Sequence, residues 1–182
     1  MAGNAVGKHY GLQKFNDTAR REKVEGILSL TGVSCIVLGL GWALCYLYFG
    51  RAELSTVFVA LIAVGVLALL RSKRSDGASL LIVAHCIFLA VYAIALIDAP
   101  IAWVPRSVHL FMLPLAAGAA LTFEARERYG SLGFPLVCLV SFAAFAVGAL
   151  DPLAPGISPP VEVRAWGARS NVTLSMILLA AI

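Results

Sequence analysis

The stretch "ASLLIVAHCIFLAVYAIALI", residues 78–97, decides the fold. It carries no Asp, Glu, Lys or Arg and is bracketed by Asp76 on one side and Asp98 on the other. A helix of about 20 apolar residues matches a hydrocarbon core about 30 Å thick, so the stretch reads as a membrane-crossing helix. Its ionisable side chain, His85, falls near the middle of that crossing, where such a group is costly and becomes a functional candidate by default.

Working outward, apolar runs recur at residues 26–49, 54–70, 108–123, 132–150 and 171–182. The last covers only roughly 18 Å of a core of about 30 Å, so it reads as a helix cut short. The expected fold is all-α: a polytopic membrane protein with six transmembrane helices, the sixth truncated, behind a helical collar at residues 1–25. The whole chain agrees. Of 182 residues, 60% are hydrophobic and 13% charged, and the mean hydropathy is +0.90, outside the range of soluble domains. The net charge of +4 would point to nucleic acid in a soluble chain. Here the cations gather beside the spans and act as topology signals, so no nucleic-acid partner is expected. The first apolar run is too long for a signal peptide and has no small-residue cleavage site behind it, so it is expected to remain in the mature protein.

Lys and Arg set the orientation. Ten of the 14 lie before span one, between spans two and three, and between spans four and five; Arg51, Arg106, Arg164 and Arg169 lie on the other side. Both ends of the chain are therefore expected in the cytoplasm. The short charged turns "RSKRSDG" and "EARERYGS" make spans two and three, and four and five, antiparallel neighbours. The opposite loops hold six of the eight prolines and two of the three tryptophans, a mixture suited to stiff connections at the headgroup level. The segment "KFNDTARREKVEG" reads as a helix capped at Asn16 or Asp17 that runs into span one.

Catalytic motifs are absent: there is no phosphate-binding glycine loop, HExxH or GxSxG, and no acidic residue falls within a span. No catalytic residue, metal ligand or cofactor is assigned. The four cysteines, Cys35, Cys45, Cys86 and Cys138, all lie in apolar runs without ligand spacing and read as small buried hydrophobes. For His85 the plain reading is a hydrogen bond to a Ser, a Thr or a carbonyl of a neighbouring span. A haem would need a second ligand at the same depth, and His109 starts span four at the outer surface, roughly 18 Å from the level of His85. Around His109, the stretch "VPRSVHLFMLP" has Pro105 breaking the loop, Arg106 at the headgroups, Ser107 as an N-cap, and Pro114 as a hinge one turn below. Asp98, Trp103, Arg106 and His109 are thus expected to line an outward mouth that receives a small-molecule or proton signal. The competing reading is an interfacial belt with a topology arginine and a helix cap. Small residues in "GLGWALC" and "LAAGAAL" allow close helix approach, with a dimer interface as one use.

On "PRSVHLFMLPLAAGAAL", on "GFPLVCLVSFAAFAV" after a charged turn, and on the proline-rich loop before the last span, residues 20–182 resemble the six-helix membrane input domains of bacterial signalling enzymes. The nearest are membrane-bound class III adenylate and other nucleotide cyclases. The resemblance implies a homodimer in the bacterial inner membrane that senses or anchors and regulates a cytoplasmic catalytic domain, on the same or another chain, after residue 182. The alternative is a small independent membrane protein, either a transporter component or an assembly subunit of a membrane complex.

Overall fold

The computed structural model describes residues 3–50, 52–74, 76–97, 107–124, 127–150 and 161–180. Every regular element among them is helical: α1 (Gly3–Tyr48), α2 (Ala52–Ser72), α3 (Gly77–Ile97), α4 (Met112–Thr122) behind a 3₁₀ turn at Val108–Phe111, α5 (Phe134–Ala146) behind a π turn at Tyr129–Gly133, and α6 (Val161–Ala180). Four segments are long and apolar enough to cross a membrane: Thr18–Tyr48, Ser55–Ser72, Gly77–Ile97 and Tyr129–Ala146. Leucines and valines such as Leu30, Leu44, Leu132 and Val147 are exposed, the surface that a lipid solvent accepts and water does not.

Several boundaries differ from the sequence reading, each for a physical reason. The helix expected to start at Asn16 or Asp17 already runs from Gly3 and passes unbroken into the first apolar segment. The fourth element is shorter than the expected 108–123 span. Its amides first bond three residues back, Leu110 to Ser107 and Met112 to His109, and α-helix begins only at Met112. Pro114 then sits in the first turn of α4, where its missing amide costs little, and the helix type changes between His109 and Pro114. The fifth begins three residues early, in the π turn. The ring of Pro135 would strike the carbonyl of Ser131 in a regular α-helix, and the wide turn removes that clash. The sixth starts at Val161, ten residues ahead of the expected Asn171, and its first half carries Glu162, Arg164 and Arg169.

Helix ends follow local chemistry. Gly50 and Gly148, with φ of 68° and 71°, close α1 and α5 in the left-handed conformation that glycine adopts without strain. Asp76 opens α3 by accepting the Ser79 amide at 2.6 Å.

The expected pairs are present, α2 against α3 and α4 against α5, but the closest pair is α1 with α2. Gly32 and Gly65 face each other there: a Cβ on Gly65 would lie 2.7 Å from the Gly32 carbonyl oxygen, and one on Gly39 2.7 Å from Ile62. The small residues of "GLGWALC" are therefore spent partly inside the chain. The main core lies between α3, α4 and α5, around the fully enclosed Phe134, Met112 and Cys138. The α1–α2 hairpin joins that core through Val24, Leu28 and Ala68, all toward the end of the bundle that holds Arg20. Farther along, the hairpin meets the rest again at α6, where Trp42 lies 5.6 Å from Trp166 and covers Gly167.

Candidate functional site

Those two contacts leave a space between them. A cavity of about 780 Å³ runs along α1 from Lys23 to Tyr46, walled by α2, α3, α4 and α6. Its lining is apolar over most of its length, with Ile27, Leu38, Ile87, Val91, Leu115 and Leu174 among the walls. Thr31 and Ser34 interrupt the α1 wall, Lys23 and Thr122 lie toward the Arg20 end, and the other end has Arg164, Asn171 and Ser107. Those last three are buried, and the Asn171 amide donates to the Ser107 hydroxyl at 3.0 Å. Around that end Trp42, Tyr46, Phe58 and Trp166 form an aromatic rim, with Tyr46 and Phe58 stacked at 5.4 Å and Trp42 and Phe58 at 6.1 Å.

Toward the opposite end α1 carries an ion-pair junction. Arg20 bonds Glu124 at 3.0 Å and Glu127 at 2.8 Å, which ties α1 to the turn between α4 and α5. Glu127 also accepts the Glu124 amide, and its carboxylate passes so close to Gly77 that a Cβ there would fall 2.5 Å from it. Arg20 and the starts of α3 and α5 are thus gathered at one junction. The nearby carboxyl of Asp76 lies below its ordinary value of 3.8, held there by hydrogen bonding from the Ser79 side chain and amide, with Arg74 and Arg71 adding.

His85 is hydrogen-bonded, but to partners other than the Ser, Thr or neighbouring-span carbonyl expected. Its Nδ1–H donates to the Leu81 carbonyl of its own helix at 2.8 Å, so the neutral ring accepts the Tyr129 hydroxyl at Nε2, also at 2.8 Å. The rings of Tyr129 and Phe134 pack against it at 5.5 and 4.7 Å.

His109 is not in a hydrated mouth. Its ring is 8% exposed and lies against Phe142 and Phe145 of α5, at 5.4 and 6.3 Å. The two histidines therefore touch parts of α5 at least eight residues apart, roughly 12 Å along the axis, which separates them as the sequence implies. Asp98, Trp103 and Arg106 lie outside the described residues. Ser107 takes the N-cap position, but its side chain serves Asn171 instead of the helix amides. Among the described residues no three His, Cys, Asp or Glu side chains gather as metal ligands would.

Sequence reasoning missed Arg164, which it counted as a loop arginine. A signal was present: Arg164, Gly167, Asn171, Leu174 and Leu178 recur at the three- and four-residue spacing of one helix face, and all line the cavity. No protein-family model matches the chain, and neither the curated proteins nor the solved structures contain a match.

Proposed function

We propose that the chain is a membrane sensory and anchor domain: six helices in a bacterial inner membrane, both ends cytoplasmic, paired with a second copy and regulating a cytoplasmic output domain nearest in kind to a nucleotide cyclase. The observation that carries this reading is the grip on α1. The helix runs unbroken from Gly3 to Tyr48, and Arg20 is held by Glu124 and Glu127 where it leaves the core. A shift of the α4–α5 turn is then passed to a rigid rod and not lost in a loop. The weight of Lys and Arg at this end favours the cytoplasm for it.

Two measurements test the proposal. A membrane-impermeant maleimide added to intact cells is expected to label Ser158→Cys and spare Ser75→Cys; the reverse pattern overturns the orientation. Cyclic nucleotide formation in membranes carrying the natural chain is expected to change by up to about fivefold on Arg20→Gln, the most that a part-exposed ion pair can contribute. A natural reading frame that stops within about 30 residues of Ile182 leaves no room for a domain and overturns the signalling role.

A further inference from the structure

We infer that the cavity beside α1 is a binding site for a neutral, lipid-soluble para-quinone. The ring lies between Thr31 and Ser34 on one wall and Asn171 on another, and the apolar tail leaves sideways into the bilayer. This goes beyond the signalling role and stands without it.

Three observations converge. The first is the state of two hydroxyls. Helical serines and threonines elsewhere return theirs to their own backbone: Ser72 to Leu69, Ser131 to Glu127 and Thr173 to Arg169. Thr31 and Ser34, three residues apart on the α1 wall of the cavity, have no hydrogen-bond partner among the described residues. The second is Asn171, buried to 7% exposure on the α6 wall. Its bond to Ser107 uses one amide hydrogen, and the amide carries two. Donors are thus offered to the cavity from two helices, at a depth where an unpaired polar group is costly and a ligand that pairs it is favoured.

Charge and direction select the ligand. Arg164 already has an interaction of its own, and Lys23 is exposed at the far end, so neither calls for an anionic head inside the cavity. A neutral acceptor fits, and it must accept on two sides. The carbonyl oxygens of a para-quinone point in opposite directions across a flat apolar ring, so one can meet the α1 hydroxyls and the other the Asn171 amide. An acyl chain would fill the same walls and leave these donors unpaired.

The third observation is the way in. Leu30, Leu121 and Leu178 line the cavity yet are 71%, 62% and 44% exposed, which marks its mouth. Leu30 lies four residues past the start of the apolar run at Gly26, roughly 6 Å along the helix, so the mouth opens on hydrocarbon and admits what dissolves there. At about 780 Å³ the cavity falls within the roughly 300–1,000 Å³ of small-molecule sites.

The test needs no output domain. The full chain in nanodiscs is irradiated with decylubiquinone carrying a diazirine in its tail, and the labelled peptides are mapped by mass spectrometry. Labelling is expected on cavity residues of α1, α4 and α6, competed by decylubiquinone at least tenfold better than by decylbenzene, which has the ring and chain without the carbonyls. Palmitate is expected to compete no better than decylbenzene. Thr31→Val and Ser34→Ala are each expected to weaken competition by the quinone about two- to tenfold and to leave that by decylbenzene unchanged. The comparison of quinone with hydrocarbon uses the unaltered chain, so it decides the matter even if a variant fails to fold. Equal competition by the two overturns the proposal, as does stronger competition by palmitate. So does labelling confined to outward residues such as Val33 and Val137, or a quinone preference that persists undiminished when Thr31 and Ser34 are both replaced.

Discussion

The two faces of α1 are packed by opposite rules. Toward α2 it presents Gly32 and Gly39, and the backbones close until no Cβ fits between Gly32 and Gly65. Toward α3 and α6 it presents Ile27, Leu38 and Trp42, and between its contacts at Leu28 and Trp42 the seam stays open around the cavity. In a membrane, apolar area is no reason for helices to close up, since lipid is as apolar as leucine. Close approach follows where small residues permit it, and where bulky residues prop two helices apart at both ends, the space between them persists.

The largest test of this contrast is on the closed face. Gly65→Ala is expected to destabilise the fold by about 1–3 kcal/mol, because the nearest atoms to its new methyl include the Gly32 carbonyl oxygen and cannot swing away. Leu38→Ala, on the open face, is expected to cost well under the usual 2–5 kcal/mol for a packed leucine, because part of its surface already meets empty space. Thermal unfolding of both variants in one detergent measures the difference, and equal losses would erase the distinction between the faces.

A smaller effect sharpens the picture at the start of α3. Asp76→Ala is expected to cost about 1 kcal/mol through loss of the cap to the Ser79 amide. The carboxyl is held below its ordinary value of 3.8, so the folded state prefers it ionised. Its contribution is complete above that value and is lost as pH falls through the lowered one. An unfolding series from pH 6 down to about pH 2 should therefore show the unaltered chain and the variant converging at the acid end. Smallest of all is Arg20→Gln. Its partners are 40% and 29% exposed, so the loss in stability is expected at about 0.2–1 kcal/mol and to shrink in high salt.

Much of this architecture was legible in the residues, and the lapses are instructive. Residues 78–97 gave α3 to within one residue, because Asp76, Gly77 and Asp98 bound an uninterrupted apolar run. The start of α6 was hidden, since hydropathy marks where a helix becomes apolar and not where it becomes helical; Glu162, Arg164 and Arg169 are in the helix but suppress the signal. His109 shows a second limit. Its distance along the chain from Pro105 fixes its level in the bundle, yet not which neighbour its ring meets, and Phe142 lies 33 residues away. The cavity was the least legible feature, because a void between helices is set by which bulky side chains meet across the seam, and no single segment records that.

The π turn before α5 carries a consequence for register. Five residues, Tyr129–Gly133, occupy a turn where a regular helix would place fewer than four, so α5 holds one residue of slack at the end where Tyr129 meets His85 and Gly130 packs under Phe123. If that slack were absorbed, the helix beyond it would rotate by about 100° and travel by about 1.5 Å. Phe142 and Phe145 would then leave His109, and a different row of side chains would face α4. The His85–Tyr129 hydrogen bond sits at the origin of that rotation, so such a turn of the α5 screw would begin at this bond.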